Sequence, residues 1–323
     1  MPTFSFAEAF GSGFNLIARK PLAILAWALF LLLATGIPIA LIATTAIPAY
    51  VRFFSYMSQH VAPGDRPDFS RMMQLESPLL GVAPLLMVLG IVTRAMLAGA
   101  VFRAVLEPEK ESFSYLRIGP QELWLGLLML VFGVMSGIAG FGVAIGGLVV
   151  FGILALLATL THAPQALIAL FGVLAFLIAM GVLIWALLRL ALAFPMTFAE
   201  REFRLFESWE LTRGQAFKMF GLALALGVVV GLIGLVIDVI GFAAFGGAIA
   251  AGGTFTMDRM EAFFAQPPQV WLPVLAPWLV VAGIVGSVLT AAFSAILLAP
   301  WAVVYRQLRP GAATPPAAEP GLA

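Results

Sequence analysis

The chain has 323 residues, of which 62% are hydrophobic and only 10% are charged, with a net charge of +1 and a mean hydropathy of +1.07. A soluble domain is about half apolar and about a quarter charged, so this composition excludes an ordinary soluble protein and predicts an all-α, polytopic membrane protein. The basic residues are scattered, which predicts no nucleic-acid partner, and the lack of cysteine excludes disulfide and thiolate chemistry.

The chain begins with a segment that is not itself membrane-spanning. Ser5 and Glu8 have the spacing of a capping box, which predicts a helix starting directly after Ser5. Phe10 and Phe14 continue an apolar stripe at helical spacing, so we expect an amphipathic helix on the membrane surface that ends before Pro21. Glu8 and the length of the apolar run after Pro21 argue against a cleavable signal peptide.

Six long apolar stretches each predict a membrane-spanning helix, because crossing a bilayer takes about 20 apolar residues. Their predicted bounds are about 22–48, 79 to 102 or 106, 121–160, 166–194, 217–250 and 270–305. Because the third stretch is so long, we expect either a kink or an overhang near Gly140–Gly147. Polar loops are predicted at 49–78 and around 258–261. We therefore predict a six-helix transmembrane domain at 1–309 and a disordered Pro/Ala-rich tail at 310–323.

The positions of lysine and arginine predict the orientation of these spans. Of the 17 basic residues, twelve fall on the predicted side of the two termini, four fall on the opposite side, and Arg94 lies within a span. Because cytoplasmic loops are enriched in lysine and arginine, this distribution predicts that both termini are cytoplasmic.

An internal repeat is also indicated. A bridge, a break and a predicted two-span hairpin occur three times, with the breaks at Pro21, Pro120 and Gly214, which are 99 and 94 residues apart. Arg94 falls opposite Arg189 at an offset of 95 residues. Chance matching of apolar residues explains some of the agreement, but the breaks and charges together favour three hairpins, each preceded by a cytoplasmic interfacial helix or bridge.

Two charged residues, Arg94 and Asp238, lie inside predicted spans, where an ionisable group is costly and is a candidate functional residue. Both share a helix face with glycines, so we expect both to face protein. Depth argues against a direct ion pair: Arg94 is about 12 Å from the predicted cytoplasmic boundary, where it can extend toward the cytoplasm, and Asp238 is about 36 Å from it. We favour structural anchoring for both residues, with a substrate or ion path as the alternative.

No residue pattern for catalysis, cofactor binding or metal binding is present in the sequence. His60 and His162 are the only histidines, and neither has the spacing of a zinc ligand set. Asp65 and Asp68 beside His60 are better interpreted as part of a solvated loop. Because no nucleophile–base arrangement is visible either, we predict that the protein is not an enzyme.

The most informative segment is Arg189–Gly214, which joins the fourth predicted span to the fifth and which we interpret as one helix leading into a hairpin. A capping-box spacing from Thr197 to Glu200 predicts the start of that helix. Arg201 and Arg204 can meet anionic headgroups at about 1 kcal/mol each, and Trp209 suits the membrane interface. A plain cytoplasmic linker is the alternative interpretation.

Family resemblance rests on the same segment. It is carried by Arg189, Pro195, Glu200, Ser208-Trp209, Leu211-Thr212 and Gly214. In this it resembles bacterial six-helix membrane proteins of unknown activity that are related to the membrane domain preceding glycerophosphoryl diester phosphodiesterases. The resemblance implies an accessory domain of the bacterial inner membrane. Because only a short tail follows the sixth predicted span, we expect no catalytic domain.

Two classes of function remain at this stage. The first is a non-catalytic accessory or scaffold protein whose partners are membrane lipids and a membrane protein. The second is a small-molecule or ion transporter with a path between the hairpins. Transport is associated with paired polar residues at mid-membrane and with interrupted helices, and both are sparse in this sequence. The sequence therefore favours the first class.

Overall fold

A computed structural model of the chain describes residues 3–59, 68–161, 164–250 and 256–309. Within these ranges the protein is almost entirely helical, with no strand, and six helices are long and apolar enough to cross a membrane. The predicted class of an all-helical, multi-pass membrane protein is thereby confirmed. His60, Asp65, His162 and the tail at 310–323 lie outside the described residues.

The described residues form twelve α-helices, numbered in chain order. They are α1 (Phe6–Arg19), α2 (Pro21–Leu31), α3 (Ile37–Gln59), α4 (Phe69–Leu80), α5 (Ala83–Leu106), α6 (Pro120–Thr161), α7 (Gln165–Leu190), α8 (Ala193–Glu200), α9 (Glu207–Leu211), α10 (Ala216–Ala250), α11 (Met257–Phe264) and α12 (Pro268–Leu308). A π-helical turn, Leu32–Gly36, joins α2 to α3, and a short turn, Ser112–Tyr115, precedes α6.

Several predicted helix starts are confirmed because they depend on local chemistry. The Ser5 hydroxyl caps α1 by accepting a hydrogen bond from the Glu8 amide at 3.4 Å. Pro120 begins α6, where its missing N–H costs no helical hydrogen bond.

The loops predicted at 49–78 and 258–261 are wrong, because much of each is helical. Helix α3 continues to Gln59, and α4 and α11 occupy most of the rest of the described loop residues. Val51 of α3 is buried against Phe264 of α11 and Trp271 of α12. Apolar residues that have polar neighbours in the sequence therefore pack together in the fold. Sequence composition alone does not show that these distant segments meet.

Helix α6 is one uninterrupted α-helix of 42 residues through Gly140–Gly147. At 1.5 Å per residue it extends about 63 Å, roughly twice the ~30 Å apolar core of a bilayer. Of the two alternatives predicted from the sequence, the uninterrupted helix favours an overhang.

Packing is concentrated at one end of the bundle, around the C-terminal half of α12. Helix α1 lies across α12, so closely that a Cβ atom at Gly13 would lie 2.4 Å from the Ile296 Cα. Phe10 and Phe14 pack on this core, so much of the apolar face of α1 contacts protein. By contrast, in an apolar 18-residue window of each of the spans that contain α6 and α7, only 6% and 0% of the residues are buried, and the two helices pack mainly on each other.

The prediction that the glycine face of α10 packs against protein is wrong for this chain. A Cβ atom placed at Gly227, Gly231 or Gly234 would meet no atom within 4 Å, and Asp238 is exposed on the same helix. The residues of α10 that are buried come from its first turns, so the helix leaves the core before it reaches these glycines.

Candidate functional site

The segment Arg189–Gly214 does not form the single helix that the sequence predicts. It folds as two short helices, α8 and α9, separated where Arg201 adopts a left-handed conformation with φ 61°. Thr197 lies inside α8 and not at a helix start, and its hydroxyl bonds to both the amide and the carbonyl of Arg204 at 3.1 Å. Those two bonds hold the short loop closed. Gly214, at φ 79°, then turns the chain toward α10.

Arg189 is buried, and it ties the end of α7 to α9. Its guanidinium donates to the Thr212 carbonyl at 2.9 Å and lies 4.9 Å from the ring centre of Trp209 and 5.7 Å from that of Trp185. Its own carbonyl accepts from the Ser208 hydroxyl at 2.8 Å. Because cation–π contacts strengthen when water is excluded, this arrangement stabilises the segment.

Arg204 is engaged by three carboxylates and is therefore poorly placed to meet a lipid headgroup. Its nitrogens lie 3.0 Å from Glu200 and Glu202 and 3.1 Å from Glu207. The hydrogen bond with Glu207 raises the pKa of Arg204, and the pKa of Glu207 is lowered first by its own backbone amide and then by Arg204. Glu200 also accepts from the Tyr305 hydroxyl at 3.2 Å, which connects this cluster to α12.

A buried ion pair between Arg103 and Glu122 is the main feature that the sequence analysis missed. Both side chains are almost fully buried, and Arg103 also donates to the Tyr115 carbonyl and lies 5.3 Å from the ring centre of Phe198. Gly99 permits the approach, since a Cβ atom there would lie 2.7 Å from a Glu122 carboxylate oxygen. An acidic residue in the first turn of a very apolar helix is the signal that indicates such a partner.

The turn before α6 has an unusual backbone. Phe113, Ser114 and Tyr115 have φ values of 51°, 54° and 67°, in the left-handed region that costs a non-glycine residue roughly 1–2 kcal/mol. The turn is held by tertiary contacts: the Trp27 indole donates to the Ser114 carbonyl at 2.7 Å, and Tyr115 is buried.

Arg103 and Arg189 have matching environments. Each ends a span, stacks on an aromatic ring and donates to a carbonyl a few residues before the next long helix, Tyr115 in one case and Thr212 in the other. The sequence repeat instead places Arg94 opposite Arg189. By its contacts, the counterpart of Arg189 is Arg103.

A cavity of about 290 Å³ opens beside the first turn of α6. Its charged lining consists of Arg103, Lys110, Arg117, Arg201, Glu107 and Glu122. Glu122 is paired with Arg103, and Glu107 lies 3.1 Å from Lys110. No ion pair within the described ranges involves Arg117 or Arg201, so two exposed guanidinium groups at this cavity have no compensating carboxylate.

Arg94 and Asp238 are both exposed, and no ion pair joins them in the part of the chain that the structure describes. Arg94 lines a crevice between α2, α5 and α12. A Cβ atom at Gly90 would lie 3.9 Å from its Nη1, so the side chain extends toward the start of α5 and not toward the Leu106 end, where the sequence analysis expected it to reach.

Among the described residues, no group of three or more histidine, cysteine, aspartate or glutamate side chains is arranged to hold a metal ion. Comparisons with protein-family models, with curated proteins and with solved structures give no match. The family resemblance drawn from Arg189–Gly214 therefore stays a prediction.

Proposed function

We propose that the protein is a non-catalytic accessory or scaffold protein of the bacterial inner membrane that binds anionic lipid headgroups at its cytoplasmic edge. The observation that carries this proposal is the cavity at the start of α6, where Arg117 and Arg201 have no carboxylate partner among the residues that the structure describes. A membrane-protein partner would bind beside the lipid site in this role. The family resemblance would agree with such an accessory function.

The chemistry of this cavity suits a phosphate group. Backbone amides in the first turn of a helix point outward and carry partial positive charge, so the N-terminus of α6 favours an anion. Arginine adds two parallel hydrogen bonds to a phosphate as well as charge. Gly119 and Pro120 line the cavity beside Arg117, and the Glu122 carboxylate in the same first turn is paired with Arg103. An anionic headgroup would meet both guanidinium groups here.

Contacts between the two ends of the described chain support the placement of both termini on one side. The Ser5 amide donates to Gln307 at 2.8 Å, and Arg306 lies 3.0 Å from Glu8. Lys20 lies 2.6 Å from Glu111, which brings the bridge before α6 to the same end. Because the basic residues concentrate at this end, the positive-inside rule supports the proposal that it is cytoplasmic.

Lipid retention tests the headgroup site. The protein in mild detergent is exposed to phosphatidylglycerol or phosphatidylethanolamine, and bound lipid is measured by native mass spectrometry. We expect wild type to retain the anionic lipid preferentially and the double variant Arg117→Gln/Arg201→Gln to bind it about tenfold more weakly. Arg52→Gln, the same charge change at an exposed site on α3, is the matched control. Equal retention by the double variant and this control would overturn the proposal.

Reporter fusions test the orientation independently. Fusions at positions 113, 206 and 315 are expected to report the cytoplasm, and fusions at 60, 163 and 262 the outer face. An outer-face signal at 206 would contradict six spans with cytoplasmic termini.

Transport is the second candidate function, and one observation favours it: Arg94 lies at mid-membrane depth in a crevice without an ionic partner. Saturable solute flux in liposomes that is abolished by Arg94→Ala or Asp238→Asn would support transport over the accessory role. Absence of flux together with selective lipid retention would favour the accessory role.

A further inference from the structure

The crevice that contains Arg94 has the size and lining of a ligand site within the membrane. It has a volume of about 550 Å³, which lies in the usual range for small-molecule sites. Its walls come from α2, the π-helical turn after it and the start of α3, from α5 and α6, and from α12. Apart from Arg94, four hydroxyl-bearing residues and one glycine, every residue that lines it is leucine, isoleucine or methionine.

Depth makes the charge in this crevice unusual. Arg94 lies midway along α5, about 16 Å from Ala83 and about 18 Å from Leu106 at 1.5 Å per residue. The apolar core of a bilayer is about 30 Å thick, so the Cα atom of Arg94 lies near its centre. A charge at that depth costs about 2.5–3.5 kcal/mol on insertion scales, and such residues usually mark a functional path or site.

Structural anchoring does not account for Arg94. Within the residues that the structure describes, no ion pair or hydrogen bond reaches its guanidinium. The guanidinium lies near Gly90, where an added Cβ atom would be 3.9 Å from its Nη1. Arg103 and Arg189, by contrast, are buried and bonded to carbonyl oxygens. The five N–H donors of Arg94 are therefore available to a ligand.

Three of the four hydroxyl groups around the crevice already have partners. Thr35, Thr93 and Ser294 donate to carbonyl oxygens of their own helices at 2.7, 2.7 and 2.6 Å. The guanidinium of Arg94 is thus the principal polar group of the crevice that has no hydrogen-bond or ionic partner among the described residues. Thr35 belongs to the π-helical turn Leu32–Gly36, a type of irregularity that is frequent at functional sites.

We propose that this crevice binds an amphiphile with an acidic headgroup, a carboxylate or phosphate attached to an acyl chain. The headgroup binds Arg94, and the chain lies along the apolar wall. Because bilayer lipid is as apolar as the wall, the chain adds little selectivity, and the charge-assisted bonds to Arg94 provide it. The site shares no residue with the cavity at the start of α6, so the proposal does not depend on the headgroup site there.

Binding of three probes with matched chains tests the inference and identifies the source of the acid. The protein in nanodiscs of zwitterionic lipid is titrated with palmitate, with hexadecanol and with phosphatidylglycerol, and bound ligand is counted by native mass spectrometry. In the Arg117→Gln/Arg201→Gln background, which lacks the headgroup site, we expect one palmitate or one phosphatidylglycerol per chain and no hexadecanol. Palmitate binding alone assigns the site to free fatty acids, and phosphatidylglycerol binding alone assigns it to phospholipid. Hexadecanol binding as strong as that of both acids would overturn the proposal.

Two variants separate the crevice from the rest of the protein. Arg94→Gln is expected to weaken acid binding about tenfold. Gly90→Leu keeps the arginine but fills the crevice, and it is expected to fold because a Cβ atom there would contact only Arg94, at 3.9 Å. Loss of binding in both variants supports the site, and unchanged binding in Gly90→Leu refutes it even where Arg94→Gln does not fold. The Arg117→Gln/Arg201→Gln variant should keep the palmitate site, which distinguishes failure here from failure of the proposed headgroup site.

Discussion

Replacing Gly13 with alanine tests how α1 is fastened to the bundle. The added Cβ atom would lie 2.4 Å from the Ile296 Cα and 2.7 Å from the Ala295 carbonyl oxygen. Both are backbone atoms of α12, so rotation of a side chain cannot relieve the overlap. Helix α1 would have to move outward by about 1 Å to restore an ordinary carbon–carbon separation of about 3.5 Å.

The expected loss follows from two opposing effects. Alanine in a helix interior is favoured over glycine by about 1 kcal/mol. Overpacking costs about 1–3 kcal/mol, and here it acts on backbone and loosens the cluster that contains Phe4 and Ala9. We therefore expect Gly13→Ala to lower the free energy of unfolding by up to about 2 kcal/mol. Gly11→Ala on the same helix meets only Asn15 Nδ2, at 3.6 Å, and should raise it by about 0.5–1 kcal/mol.

Unfolding by SDS titration in mild detergent, followed by tryptophan fluorescence, measures both variants under the same conditions. The two substitutions are chemically identical, so the difference between them reports the contact between α1 and α12. If Gly13→Ala proves as stable as Gly11→Ala, the close approach of the two backbones is refuted.

The remaining predictions use the same unfolding assay. Glu122→Gln leaves the buried Arg103 without a counter-charge, so we expect a loss of about 3–5 kcal/mol, whereas Arg103→Met/Glu122→Leu should lose much less than the sum of the single variants; additive losses would contradict a coupled pair. Trp209→Leu removes the ring 4.9 Å from Arg189 and should cost about 1–2 kcal/mol, more than Trp209→Phe; equal losses would show that the cation–π contact contributes nothing. Because the pKa of Glu207 lies below its ordinary 4.5, its stabilising contribution is complete above pH 4.5 and is lost as the pH falls through the lower folded value. Glu207→Gln should therefore lose less stability than wild type over that acidic range, and parallel curves would exclude the effect.

Helix positions were predicted well where local sequence decides them. The start of α1 at the Ser5 cap, the start of α6 at Pro120 and the extent of α10 depend on residues within a few positions of each boundary. Helix α11 and the second half of α3 were missed, because their apolar residues are few and are buried only by contact with one another and with α12. Helix α4 was missed as well, and large apolar side chains on it, such as Phe69 and Met73, stay exposed in the fold.

The candidate sites were only partly predictable. Arg94 and Arg189 both stand out in the sequence as charges near apolar runs, but the pattern does not show that one is bonded and the other is not. The pairing of Arg103 with Glu122 depends on a left-handed turn at Phe113–Tyr115. That turn contains no glycine, so the sequence does not predict its left-handed backbone. Arg204 carries the same charge as Arg201, yet three carboxylates engage it in the fold.

The amino-acid sequence by itself determined the class of this protein and the approximate position of its six apolar helices. Transfer into a membrane is a sum over about 20 neighbouring residues, so it can be evaluated from a contiguous stretch of chain. Only the tertiary structure decided which charges are compensated. Compensation depends on distances of a few ångströms between groups on different helices, and those distances follow from how α1, α5, α6 and α12 pack. Arg94 in its crevice and the cavity at the start of α6 became candidate sites for that reason.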